Sequence, residues 1–193
     1  RTADVAAREK LAIAQMERAF ETHKDDIAAI ILEPIQGEGG DNHFRPEFFK
    51  ELRRIADQYE AMLVFDEVQA GFGLTGKFWS HEHYGIRPDM VAFGKKAQVC
   101  GFIATDRLED VKDNVFHTSS RINSTWGGNL VDMARCQRYL EIMAEENLVA
   151  NAAARESLLT TVGRPWRCSR IPARGRSCQS RLTAQRIVPS AST

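Results

Sequence analysis

Two short stretches carry the side chains best suited to chemistry. In "AMLVFDE" an apolar run ends in Asp66 and Glu67. In "VAFGKKAQVCG" another ends in Gly94, followed by Lys95 and Lys96. Paired acids at a strand end can face water, hold a cation beside a nucleotide, or fix the protonation of a bound ring. A lysine amine can attack a carbonyl when it is partly desolvated or close to other cations. The stretch "GFGLTGK" from Gly71 to Lys77 fits the GxxxxGK spacing of a phosphate loop. Phe78 stands where such a loop needs Ser or Thr for magnesium, and the acid strand comes immediately before the loop instead of well after it. "HEH" at His81 to His83 has metal-ligand residue types but no further cluster nearby, so no metal is expected.

A different chemistry uses one Asp, one Lys and a hydrogen-bond donor around a single aromatic cofactor. Pyridoxal phosphate needs this set: an amine to anchor it and a carboxylate to keep its pyridine nitrogen protonated, so that the ring can accept electrons. Gly94 would let a ring approach the backbone closely beside Lys95. Lys96 points to the opposite face if the backbone is extended, and reads as structural or solvated.

These groups must be placed by the elements around them. Apolar residues at helical spacing (Leu11, Ala12, Met16, Ala19, Phe20) predict a helix over Val5 to His23. "IAAIIL" predicts a strand, "EPIQGEGGDNHFRP" a loop, and "EFFKELRRIADQYE" an amphipathic helix with Pro46 near its start. "AMLVFDE", "MVAFG" and "GFIAT" predict further strands, with a long loop from Val68 to Asp89. A helix is expected from about Leu130 to Asn151. Strands alternating with helices give an α/β class with a mainly parallel sheet flanked by helices. In such sheets ligands bind at the carboxyl ends of the strands. Glu33, Asp66 with Glu67, and Gly94 with Lys95 all occupy such ends if the strands are parallel.

Charge and composition exclude several classes. Seven arginines and no acid lie from Leu158 onward, which leaves 19 Lys and Arg against 26 Asp and Glu in the rest. An acidic body gives no nucleic-acid surface. No apolar run approaches membrane-helix length, and no charged-then-apolar leader is visible. Four scattered cysteines without a close pair suggest free thiols in a reducing cytoplasm. The helical pattern breaks near Ala154. Residues 155–193 form an Arg/Ser-rich tail resembling an out-of-frame or disordered extension, with a basic interaction tail as the alternative. The expected division is therefore 1–154 as the folded unit and 155–193 as the tail. The first residue is Arg1 rather than Met, which suggests a piece of a longer protein.

Taken in order, "ILEPIQGEGG", "LVFDEVQAGFGLTGKFW", "PDMVAFGKK" and "STWGGN" resemble the class III (ornithine/GABA-type) aminotransferases. The likeness covers roughly Val5 to Ala153. It implies part of the large domain of a fold-type I pyridoxal phosphate enzyme. By motif position it implies that Lys95 anchors the cofactor and shuttles the proton, and that Asp66 pairs with the pyridine nitrogen. Val68 would pack on the ring and Gln69 would bond its hydroxyl. Thr125 would hold the phosphate across a homodimer. Glu38 would switch away from an arginine to admit the second substrate's carboxylate, and Asn123 would line the substrate pocket. "GKKAQVCG" and "HTSSRINSTWGGN" are most similar to members that move the ε-amino group of lysine to 2-oxoglutarate. The family's N-terminal phosphate turn and C-terminal arginine match nothing in this sequence. A non-catalytic remnant and an ornithine, acetylornithine or GABA enzyme therefore remain open, with a nucleotide hydrolase third.

Overall fold

The computed structural model describes residues 2–37, 40, 42–122 and 128–161. Helix α1 (Thr2–Thr22) comes first, then strands β1 (Ala29–Leu32), β2 (Ile35–Gln36) and β3 (Asn42–His43). Helix α2 (Pro46–Gln58) leads into β4 (Met62–Asp66), followed by β5 (Met90–Phe93) and β6 (Gly101–Ala104). Helices α3 (Leu130–Glu145) and α4 (Leu148–Thr161) close the described chain.

Four strands form one sheet in the order β1-β4-β5-β6. β1, β4 and β5 run parallel, and β6 returns antiparallel to β5. The mainly parallel expectation is met, and the three parallel strands end on one edge. β2 and β3 make a small antiparallel pair inside the expected loop.

α2 shows why the sheet forms where it does. Pro46 takes the first helical position, where its missing N–H has no partner to lose. Phe48, Phe49, Leu52, Ile55 and Ala56 recur at helical spacing and are all buried. They pack on Leu63 and Phe65 of β4, with Ala12, Ile13 and Met16 of α1 alongside. Phe49 meets Phe65 edge-on, with ring centroids 5.6 Å apart, and stacks on Tyr84 at 4.1 Å. Buried Glu9 of α1 accepts from the Arg45 backbone N–H at 3.0 Å and its guanidinium at 2.6 Å, which ties α1 to the start of α2.

β5 is registered by a carboxylate. The Asp89 N–H donates to Leu63 O at 2.8 Å, while Asp89 Oδ2 accepts from the Leu63 N–H at 2.7 Å. Arg53 and Arg107 also reach Oδ2, at 2.9 and 3.2 Å. Charge-assisted bonds of this kind are among the stronger ones.

Two expectations need correction. The helix from Leu130 is broken at Glu146–Asn147, where Asn147 takes φ 50, a left-handed conformation that Asn tolerates. α4 then continues to Thr161, past the expected break near Ala154. Residues 162–193, most of the expected tail, lie outside the described residues. Among the described residues no helix is long and apolar enough to cross a membrane.

Candidate active site

The register sets the site. Asp66 pairs with Ala92, so the carboxyl ends of β4 and β5 lie side by side. Asp66 and Glu67 follow one another on an extended backbone and so leave on opposite sides. Asp66 is half-buried, and its Oδ1 accepts the Val68 N–H at 3.0 Å. Oδ2 takes no hydrogen bond from the described residues.

Glu67 turns inward and is completely buried. Its Oε2 accepts from the Ser80 N–H at 2.9 Å and hydroxyl at 2.8 Å. Its Oε1 accepts the His81 N–H at 2.8 Å and lies 3.0 Å from His81 Nδ1. Burial pushes this carboxyl up, but the bonds from His81 and Ser80 outweigh it, and the net shift is below the usual glutamate value. Glu67 thus fastens the 3-10 turn Ser80–His83 beneath the strand end. Of the "HEH" histidines, His81 faces Glu67 and His83 faces Thr75. Among the described residues no group of three potential metal ligands converges.

From Glu67 the chain makes one tight turn. The Glu67 N–H donates to Ala92 O at 2.9 Å, and the Gly71 N–H donates back to Glu67 O at 2.8 Å. Val68, Gln69 and Ala70 occupy that turn. A Cβ built on Gly94 would lie 3.6 Å from a Val68 methyl and 3.1 Å from Cys100 Sγ, so the Val68 side chain stands against the Gly94 backbone. After Gly94 the backbone is not extended, contrary to the condition that would turn Lys96 to the opposite face. Lys95–Ala97 form a 3-10 turn, with Lys95 at φ 49 and Gln98 at φ 60. The Lys95 carbonyl accepts from both the Gln98 N–H and the Gln98 side chain. Lys95 is exposed rather than desolvated. Lys96 is half-buried and donates from Nζ to the Gln69 carbonyl. Of its two expected readings, structural fits and solvated does not.

Asp66, Val68, Gln69 and Lys95 therefore share two adjoining loops. Glu38, Asn123 and Thr125 lie outside the described residues. The helix that follows Asn123 and Thr125 reaches the site: Arg135 of α3 approaches Gln98 of the lysine turn at 3.4 Å.

The GxxxxGK stretch is used for packing. A Cβ on Gly73 would sit 3.0 Å from Val149, and one on Gly76 would sit 2.8 Å from Ala153 Cα. Both glycines are gaps into which the α3–α4 hairpin fits, and the element that follows Lys77 is the 3-10 turn Ser80–His83, not an α-helix. A cleft of about 530 Å³ opens at the other edge of the sheet, lined by Arg53, Asp57, Asp89 and Arg107. Among these charges Arg53 pairs with Asp57 at 2.7 Å and with Asp89 at 2.9 Å, the second of which ties α2 to the start of β5.

The donor set at the β4–β5 edge suits pyridoxal phosphate. It offers a carboxylate oxygen that no described residue bonds, a primary amine in reach of solvent, and an apolar valine against a glycine backbone. The sequence matches the family described as Aminotransferase class-III over residues 2–168. The chain belongs to the class III aminotransferases. This family uses pyridoxal phosphate. The chain is 55% identical over 148 residues to an L-lysine-epsilon aminotransferase of Mycobacterium tuberculosis, which covers 77% of this chain and 33% of the relative. An L-lysine-epsilon aminotransferase of Amycolatopsis lactamdurans is 48% identical over 151 residues, covering 78% and 34%. The solved lysine aminotransferase of M. tuberculosis superposes with a TM-score of 0.76 at 53% identity, covering 80% of this chain and 35% of that one. The fold is thus that of the fold-type I transaminases. The chain spans about a third of the length of the curated relatives it matches.

Glu67 and Asp89 were missed as placed groups. Asp89 had a signal in the sequence, an acid set immediately before a buried strand. The partners of Glu67 lie 13 and 14 residues along the chain, inside a loop with no regular pattern.

Proposed function

We propose that this chain provides the cofactor-anchoring part of an L-lysine 6-aminotransferase. The enzyme would move the ε-amino group of lysine to 2-oxoglutarate, giving glutamate and 2-aminoadipate 6-semialdehyde. The observation that carries the reading is the pairing of Asp66 with Ala92, which sets the Asp66 carboxylate beside the turn that presents Lys95.

When bound, pyridoxal phosphate supplies an electron sink for the carbon that gives up its proton. Asp66 holds the proton on the pyridine nitrogen. Lys95 Nζ would hold the cofactor, take the proton from the donor carbon and return it to the other end of the same three-atom system. Val68 packs on one ring face and so limits water there, while Gln69 bonds the ring hydroxyl. Thr125 holds the phosphate of a neighbouring subunit's cofactor. Glu38 holds an arginine in one half-reaction and frees it for the 2-oxoglutarate carboxylate in the other, and Asn123 lines the donor pocket. Variants of the M. tuberculosis enzyme at a glutamate, an asparagine and a threonine have been solved. The intervals between those three positions equal those between Glu38, Asn123 and Thr125, which supports the three assignments.

The same reading takes the residues through the end of α4 as the cofactor unit, the Arg/Ser-rich residues beyond it as a separate tail, a homodimer as the assembly, and the cytoplasm as the location. Neither nucleic acid nor membrane is a partner in it. A second reading is a non-catalytic remnant, in which these residues anchor the cofactor without turnover.

Purified chain mixed with pyridoxal phosphate should develop an absorbance near the visible edge that borohydride fixes on Lys95. Lys95→Ala should abolish it. Absence of any adduct would end the proposal for this chain. An adduct without turnover of lysine and 2-oxoglutarate would select the second reading.

A further inference from the structure

Backbone pairing between the two site loops ends at the bond from the Glu67 N–H to Ala92 O. Beyond it, two links among the described residues join the Asp66–Gln69 turn to the lysine turn. One is the contact of Val68 with Gly94. The other is the bond from Lys96 Nζ to the Gln69 carbonyl. The first is apolar and can slide. The second is directional and charge-assisted.

The fold bears a cost to keep Lys96 where it is. Burial of its charge, and then the charge of Lys95, push its ammonium below the usual lysine value, against a smaller opposing pull from Glu67. An apolar side chain of similar length would fill the space without that desolvation. Lys96 takes the half-buried direction because the turn is 3-10. Neighbouring residues in it do not alternate faces, so the exposed direction is left to Lys95.

We propose that Lys96 is a positioning residue. Its ammonium clamps the Gln69 carbonyl and thereby fixes the spacing between the Asp66 carboxylate and the Lys95 amine. The clamp is a feature of the chain by itself. Its purpose rests on the cofactor reading above.

The test compares the full chain with Lys96→Met and Lys96→Arg. Without cofactor, hydrogen exchange in peptides over residues 67–73 should rise several-fold in Lys96→Met and stay flat in α2. With cofactor, Lys96→Met should need roughly tenfold more pyridoxal phosphate for half-maximal absorbance, the scale of one bond from a charged donor. Borohydride should still fix the adduct on Lys95. Lys96→Arg, which keeps a charged donor of similar reach, should recover most of both losses. Unchanged exchange in Lys96→Met would overturn the clamp. Raised exchange with unchanged cofactor uptake would overturn its positioning role. An adduct on Lys96 in the unaltered chain would overturn the assignment of the two lysines. If the unaltered chain takes up no cofactor, the underlying reading fails, and the exchange result still decides the clamp.

Discussion

The packed face of the sheet and the edge that carries the site are held by different forces. Behind β4, Phe49, Leu52, Ile55, Leu63 and Phe65 are at most 1% exposed, and the bonding is apolar contact. At the carboxyl edge the fixed points are polar: Glu67 on Ser80 and His81, Asp66 on Val68, Lys96 on Gln69. Apolar packing fixes where strands lie but tolerates small shifts in how their ends are aimed. Hydrogen bonds are directional and aim the residues that follow. The core therefore delivers Asp66 and Gly94 to one edge, and the polar bonds decide which way the next side chains face.

The largest effect should come from the packed side. Phe49→Ala removes a ring that touches Phe44, Phe48, Phe65 and Tyr84, and should cost about 3–5 kcal/mol. Urea unfolding of the two chains measures it. A loss below 1 kcal/mol would mean that this face is looser than its burial implies.

Next comes the polar edge. Glu67→Gln keeps the shape but turns an acceptor into an amide donor facing N–H groups, and should cost about 1–3 kcal/mol at neutral pH. The folded-state value of this carboxyl lies below its unfolded one. Its contribution is therefore fully present above the ordinary carboxylate value of about 4.3 and is lost as pH falls through the folded value. The gap between the two chains should shrink on acidification below about pH 4. A gap unchanged from neutral pH to pH 3 would show that the negative charge of Glu67 contributes nothing.

This contrast also explains what could be read in advance. The buried residues of α2 repeat at helical spacing, and β4 is an unbroken apolar run, so both elements were visible from side-chain type alone. Asp66 and Lys95 were visible because each closes such a run. Glu67 was not, because beside Asp66 it looked like the second of two equivalent acids, and its burial depends on a loop brought back from Ser80. Lys96 was placed by assuming an extended backbone, and no Gly or Pro after Gly94 marks the 3-10 turn. The break at Asn147 was hidden for the same reason, since "EENLVANAA" reads as continuous helix. Glu38, Asn123 and Thr125 are marked by family motif alone, and lie outside the described residues.

The α3–α4 hairpin belongs to neither region, and two further effects define it. Gly76→Ala would force a side chain at φ 79 to within 2.8 Å of Ala153 Cα. It should cost about 1–3 kcal/mol. Faster hydrogen exchange should appear in α4 and not in α2. If exchange rose in both, hairpin and core would unfold as one unit and the separation drawn here would be wrong.

The smallest effect is expected on α3. Leu130 is 82% exposed, Val131 66% and Met133 51%, and none of the residues of this helix is buried. Leu130→Ser removes no contact with the core and should change stability by less than about 0.5 kcal/mol. The measurement is most informative at two protein concentrations. A negligible change at both means that this face meets water in solution. A cost above 1 kcal/mol that grows with concentration would mean that a second copy covers the helix, because only an associating state gains stability by mass action. The hairpin would then be an interface, held like the packed side of the sheet, by apolar contact.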